Sequence, residues 1–185
     1  LYSVLSLRGF FPVEQMKTLR KSDSMLQGHP SIKYTPGVDM SSGSLGQGIS
    51  VATGVALASK LDGDAYRVYS ILGDGEIQEG QVWEAAFFAG HKKLDNLIVF
   101  LDYNKMQLDG TLEEVNDSGN MYDKFKSFGF DTYSIDGHNI DEIIATIEKA
   151  KTVKGMPHMI VLNTIKGKGV SFMENQVSWH GKAPN

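Results

Sequence analysis

Cysteine is absent from this 185-residue chain, which excludes a disulfide frame, a zinc–thiolate centre and a thiol nucleophile. Long apolar runs are missing as well. No stretch approaches the roughly 20 residues that a membrane span needs, and no charged-then-apolar signal segment opens the chain. These absences predict a soluble, cytoplasmic protein with no membrane partner. Basic runs never exceed two adjacent residues, as at Arg20-Lys21 and Lys92-Lys93, so the basic stripe of a nucleic-acid binder is lacking. What is present is 41% apolar residues, enough for one sizeable core, and a formal charge of −4 that is unevenly spread. Residues 61–150 hold eighteen acids and seven bases, whereas residues 151–185 hold five bases and one acid.

Periodicity divides the chain into strands and helices. Leu1 to Leu7 is an apolar stretch ending at Arg8-Gly9, as a helix with a glycine cap does, and Pro12 to Leu19 carries a second short helical stripe. A first residue other than Met predicts a chain taken from the interior of a longer gene product. Residues 22–43, with Gly28, Pro30, Pro36 and Gly37, predict a long loop, and loops of that length are usually functional or disordered. From Ser44 to Lys60, ten of seventeen residues are Gly, Ala, Ser or Thr on a helical pattern. Such a helix can approach another backbone closely. Strands are predicted at Tyr66–Leu72, Asn96–Leu101, Phe130–Ile135 and His158–Ile165, with helices at Glu79–Lys92, Tyr122–Phe128 and Ile140–Lys151. This alternation predicts an α/β fold, a parallel sheet covered by helices on both faces, in which ligands bind beyond the carboxyl ends of the strands.

Two strand ends then carry the chemistry. Gly73-Asp74-Gly75 follows the first strand at once, so its glycines let backbone amides come near an anion while the carboxylate faces the crevice. Asn104 follows the next strand, thirty positions after Asp74, and the intervening helix brings the two side chains together. One carboxylate oxygen and one amide oxygen suit a hard cation such as magnesium, which takes few carboxylates and completes its shell from phosphate, backbone carbonyl and water. A lone Gly-Asp-Gly is an ordinary turn. The spacing to Asn104 is what makes it a thiamine-diphosphate pattern.

The surrounding words agree. Leu72-Gly73-Asp74-Gly75-Glu76-Ile77-Gln78-Glu79-Gly80, Val82-Trp83-Glu84-Ala85, Leu94-Asp95-Asn96-Leu97-Ile98 and Asp102-Tyr103-Asn104-Lys105-Met106-Gln107-Leu108-Asp109-Gly110 resemble transketolase, in its diphosphate-binding half. Gly28-His29-Pro30, Gly37-Val38-Asp39, Gly43-Ser44-Leu45-Gly46-Gln47-Gly48, Thr164-Ile165-Lys166-Gly167-Lys168-Gly169 and Ser178-Trp179-His180-Gly181 match in the same order. The resemblance covers nearly the whole chain. The ending Lys182-Ala183-Pro184-Asn185 is similar to that of the separately encoded N-terminal subunits of split bacterial transketolases.

That resemblance implies a single diphosphate-binding domain over residues 1–185, without its upstream segment and without the pyrimidine-binding domain. It implies magnesium, with calcium or manganese able to replace it, held by the side chains of Asp74 and Asn104 and the backbone carbonyl of Met106. Thiamine diphosphate would meet Gly43, Ser44, Leu45, Asp74, Gly75, Asn104, Lys166 and His180. Ser44 stands where the family more often has proline. His29 and His180 would serve the sugar as catalytic groups, with Glu79 and Glu84 in a carboxylate cluster near a subunit interface. The implied reaction moves a two-carbon ketol unit from a ketose phosphate to an aldose phosphate, as in the pentose phosphate pathway. The implied partner is a C-terminal transketolase subunit that carries the pyrimidine-binding domain, in a heterotetramer of two such pairs. Residue types alone leave other readings open: Glu79 and Glu84 as a solvated helix face, His91, His138 and His158 as satisfied or exposed polar residues, and Trp83, Phe87 and Phe88 as core or interface. Two other thiamine enzymes, the 2-oxoacid dehydrogenase α chain and deoxyxylulose-phosphate synthase, share the frame, and a non-catalytic phosphate-binding module is the alternative from another class. Gly28-His29-Pro30 and Trp179-His180-Gly181 favour transketolase among the enzymes.

Overall fold

Short local signals at the start of the chain become short elements. In a computed structural model, which describes residues 1–183, Tyr2–Leu7 forms helix α1, and the Gly9 and Phe10 amides donate to Ser6 and Leu5 carbonyls as the helix closes. Pro184 and Asn185, the end of the C-terminal segment singled out above, lie outside the described residues. The chain divides into two compact units, Leu1–Gly48 and Ile49–Asn185. In the first, Leu5, Phe11, Leu26 and Val38 make a small core, with Tyr2, Met16 and Met25 packed against it. The predicted stripe after Pro12 is a 3-10 helix, Val13–Thr18, that buries none of its residues fully. Val13 and Leu19 stay exposed, so the stripe contributes little beyond Met16. Residues 22–43 form no helix or strand, as their Gly and Pro content requires. Side chains tie that loop to itself instead, as where the Thr35 hydroxyl donates to the Met25 carbonyl at 2.6 Å.

The second unit is the α/β body. Helix α2, Gln47–Asp62, begins three residues later than composition suggests, and places Ile49, Ala52 and Ala56 inward. Strand β1 (Val68–Gly73), helix α3 (Gly80–His91) and strand β2 (Leu97–Tyr103) follow, then a two-stranded antiparallel hairpin, β3 (Met106–Gln107) with β4 (Gly110–Thr111). After helices α4 (Leu112–Val115) and α5 (Met121–Ser127) come β5 (Asp131–Asp136), α6 (Ile140–Thr152) and β6 (His158–Asn163). Four strands make one sheet in the order β1-β2-β6-β5, all pairs parallel. The chain steps one way from β1 to β2 and the opposite way from β5 to β6. Right-handed crossovers therefore place α3 and α6 on opposite faces.

The two faces are unequal. On one, Leu72, Leu97, Val99, Leu101, Met159 and Val161 pack against α2, α3 and α5 in the main core. Trp83 and Phe125 stack there with centroids 5.1 Å apart. A Cβ at Gly90 would stand 1.9 Å from the Phe128 carbonyl oxygen, so only glycine lets α3 come so near the backbone after α5. On the other face, Ile98, Ile135 and Ile160 pack beneath α6, while Tyr69 and Ile71 of β1 remain 49% and 73% exposed.

Candidate functional site

Asp74 leaves the carboxyl end of β1, and the Gly73–Asp102 pairing of β1 with β2 sets the end of the neighbouring strand beside it. Asp74 is only 3% exposed. The Met106 amide donates both to Asp74 Oδ2, at 3.2 Å, and to Asn104 Oδ1, at 3.0 Å. A single N–H thus gathers two oxygens from two strand ends. The turn that aims it is Lys105, whose φ of 64° is uncommon for a residue with a side chain, a strained conformation of the kind that collects at functional sites. The Leu112 amide donates to the Lys105 carbonyl at 3.0 Å, and a reciprocal Thr111–Glu114 capping box starts α4 behind the hairpin.

Burial pushes the Asp74 carboxyl above its ordinary range, with a smaller push from the Asp102 charge; amides of Lys105, Met106 and Gly75 pull against it. Among the described residues, no salt bridge reaches this carboxylate. No three His, Asp or Glu side chains converge anywhere among the described residues to form a metal cluster. The available donors are therefore oxygens of mixed type: a buried carboxylate, an amide and the backbone near Met106. That chemistry fits a hard cation that retains water or phosphate ligands. Gly75 sits beside this group, half-buried, next to the Gln107 side chain.

The next strand end contributes a second pair. Thr164, after β6, donates its amide to the Tyr103 carbonyl at 3.3 Å and its hydroxyl to the Asp102 carboxylate. Two residues further on, Lys166 Nζ lies 3.3 Å from His180 Nδ1. His180 is exposed and Lys166 half-buried. Trp179 donates its indole N–H to the Phe172 carbonyl at 3.0 Å and meets that residue's ring edge-on.

In the first unit, His29 is exposed and lies against Gly43. A Cβ at Gly43 would stand 2.6 Å from the imidazole, and the residue's φ of 138° is unfavourable to any side chain. Ser44 and Leu45 are exposed and precede α2, so the Gly43–Leu45 segment is a loop and not the helix start that its composition suggested. Glu79 lies just before α3 and Glu84 on it, both exposed, and among the described residues no salt bridge or hydrogen bond joins them to each other or to Asp74. Sequence reasoning passed over Glu76, whose carboxylate accepts from the Gly73 amide at 3.2 Å, and Thr164. Both stood inside the matched words without a role of their own, and Thr164 gained one only once β6 was placed beside β2. His158 is a fully buried, hydrogen-bonded core histidine and His138 accepts from the Ile165 amide at 2.7 Å.

Residues 1–184 match the family model described as the thiamine diphosphate binding domain of transketolase, and the chain belongs to that family. Among curated relatives it is 52% identical over 180 residues to the 6-deoxy-6-sulfo-D-fructose transketolase subunit of Clostridium sp. (strain MSTE9), covering 97% of this chain and 66% of that protein. It is 40% identical to an apulose-4-phosphate transketolase subunit of Phocaeicola vulgatus, over 100% of this chain and 65% of the relative. The chain spans just under two thirds of the length of these relatives. A solved transketolase from Pichia stipitis in complex with sedoheptulose-7-phosphate superposes with a TM-score of 0.88 at 36% identity, over 91% of this chain and 27% of the other. The Campylobacter jejuni transketolase gives 0.84 at 34% identity, over 89% and 27%. The thiamine-diphosphate-domain fold that the resemblance implied is thereby established.

Proposed function

We propose that this chain is the diphosphate-binding component of a transketolase, moving a two-carbon ketol unit from a ketose to an aldose acceptor, and that it acts with a second chain. The observation that carries this reading is the convergence of Asp74 and Asn104 on one amide at the ends of adjacent parallel strands. Asp74, Asn104 and the Met106 carbonyl would hold magnesium, or calcium or manganese in its place. The Gly75 amide, Lys166 and His180 would hold the diphosphate and ring of the cofactor. When bound, thiamine diphosphate supplies the carbon nucleophile that the twenty standard side chains lack.

The chain's own residues have complementary tasks. Asp74 offsets cation charge in a buried position, where the attraction is strong. Lys166 sets a positive charge 3.3 Å from His180 Nδ1, where it can face an anionic group. His29 and His180 are exposed imidazoles able to exchange protons with sugar hydroxyls. Glu79 and Glu84, exposed on this chain, would find their partners across a subunit interface.

The sugar chemistry is a ketose with an anionic group at its far end. Relatives named for a sulfonated fructose and for apulose-4-phosphate favour a pathway other than the pentose phosphate route first expected. The partner would be a C-terminal subunit with the pyrimidine-binding domain, the assembly two such pairs, and the location cytoplasmic. Co-expression with that subunit should give glycolaldehyde transfer that needs both magnesium and thiamine diphosphate, and no 2-oxoacid decarboxylation. Transfer activity that survives Asp74→Ala unchanged would sink the reading.

A further inference from the structure

Glu76–Gln78 is a single 3-10 turn that follows Gly75 directly, so it carries Gln78 away from the end of β1 towards the hairpin that follows β2. Gln78 Nε2 donates to Gln107 Oε1 at 2.6 Å and to the Asn116 carbonyl at 3.1 Å. Both amide hydrogens are thereby used, one on each side of the β3–β4 hairpin and α4. Gln107 also packs on Gly75: a Cβ there would lie 3.2 Å from the Gln107 Cβ. Gln107 is the residue after Met106, whose amide binds Asp74 and Asn104.

The hairpin needs such support. Its ladder is two residue pairs long, and an isolated two-stranded ribbon is marginal in water. Lys105 at its entry holds a left-handed backbone, which persists only where neighbouring contacts over-determine it. Beside the amides of Lys105 and Met106 that bind the Asp74 carboxylate, the Gln78–Gln107 bond and the Gln107–Gly75 contact join the Gly-Asp-Gly turn to the Asn104–Met106 turn.

We propose that Gln78 and Gln107 form a latch that positions Asp74, Asn104 and Met106 relative to one another, and are therefore positioning residues for the metal–diphosphate site. This rests on the reading of that group as the cofactor site. Partners one shell out from a metal set ligand orientation, and their loss typically weakens metal binding about 10–100-fold. Breaking either half of the latch loosens the Met106 amide and lowers cation-dependent cofactor affinity, while the sheet beneath is untouched.

Two readouts on the full chain test this separately. In ligand-free protein, hydrogen exchange of the Met106 amide should accelerate about tenfold or more in Gln78→Ala and in Gln107→Ala. The double variant should exchange no faster than the worse single one, since one bond is being removed. Gln107→Glu, which keeps an acceptor for Gln78, should retain the protection, and the Leu101 amide should exchange as in the unaltered protein throughout. In calorimetry with thiamine diphosphate, the magnesium-dependent affinity should then fall by the same 10–100-fold. Unchanged Met106 exchange, or additive effects in the double variant, overturns the latch. Faster exchange with undiminished magnesium-dependent binding shows a hairpin tie that positions nothing and overturns the proposal as well. If the unaltered chain shows the expected exchange pattern but no magnesium-dependent binding even with its partner, the cofactor-site reading has failed and the positioning role falls with it.

Discussion

The two ends of the sheet treat their carboxylates differently. At the amino end, where β2, β5 and β6 begin, Asp95 binds Lys60 at 2.8 Å and accepts from the Gly155 amide at 2.9 Å. Burial alone would raise its carboxyl, but those bonds outweigh burial and hold it below the ordinary range. Asp131 accepts from the Tyr133 hydroxyl at 2.5 Å and lies 3.3 Å from the ring of fully buried His158, whose other nitrogen lies as far from the Asp95 carbonyl. Burial, and then that bond to Asp131, pushes the Tyr133 phenol upward. At the carboxyl end, Asp74 is buried beneath a strained turn with amides for company and, among the described residues, no cationic side chain in an ion pair with it. At the amino end side chains of this chain hold the carboxylates, although Arg67 Nε and Asn96 Oδ1 beside them are buried without a hydrogen-bond partner; at the carboxyl end backbone amides hold the Asp74 carboxylate. Satisfied polar clusters hold a fold together, whereas an unmatched buried charge is a functional signal.

Substitution at each end should sharpen the contrast, the largest effect coming first. Asp74→Ala should weaken magnesium-dependent thiamine diphosphate binding by at least about 100-fold, because the proposed ligand itself is lost and not merely its support; calorimetry measures it. His158→Ala should leave ligand binding nearly unchanged but lower stability by about 2–4 kcal/mol in denaturant unfolding, since it opens a cavity and strands the groups around the ring. Equal loss of cofactor binding in both variants would erase the distinction between the ends.

A pH experiment separates them further. Because burial raises the Asp74 carboxyl in the ligand-free protein, the unfolded chain gives up that proton at lower pH than the folded one. The stability this group contributes is lost as pH climbs from the ordinary carboxylate range to the raised folded value, and the loss is complete above it. Asp74→Asn should remove that slope from melting curves recorded against pH without ligand. Asp95 works in the opposite sense: its lowered value adds stability that is present above the ordinary carboxylate range and disappears as pH falls through the folded value. The smallest effect is expected for Lys60→Ala, about 0.5 kcal/mol or less in denaturant unfolding, since that lysine is more than a third exposed and its ion pair is screened by water.

Much of this contrast was legible in the order of residues. Apolar runs such as Leu97–Leu101 can only be strands covered on two sides, and Ile140, Ile143, Ile144 and Ile147 repeat at helical spacing, though Ile140 and Ile144 ended exposed while Ile143 and Ile147 packed inward against the sheet. The approach of Asp74 to Asn104 followed from strand–helix–strand logic alone. Helix ends were less readable: Ser44-Leu45-Gly46 has the composition of the helix it precedes but forms a turn. The spacing of Glu79 and Glu84 decided nothing by itself, and both are exposed.

The sequence by itself determined the alternation of strand and helix, the thirty-residue interval from Asp74 to Asn104, and the inability to hold a metal through a thiolate, because periodicity and side-chain chemistry act over short stretches of chain. Tertiary structure alone decided that one Met106 amide serves two strand ends, that Gln78 reaches Gln107 across twenty-nine positions, and that His158 disappears into the core beside Asp131. Those arrangements depend on strand order and on a left-handed turn at Lys105. Both are settled when distant segments pack, through contacts that no local pattern encodes.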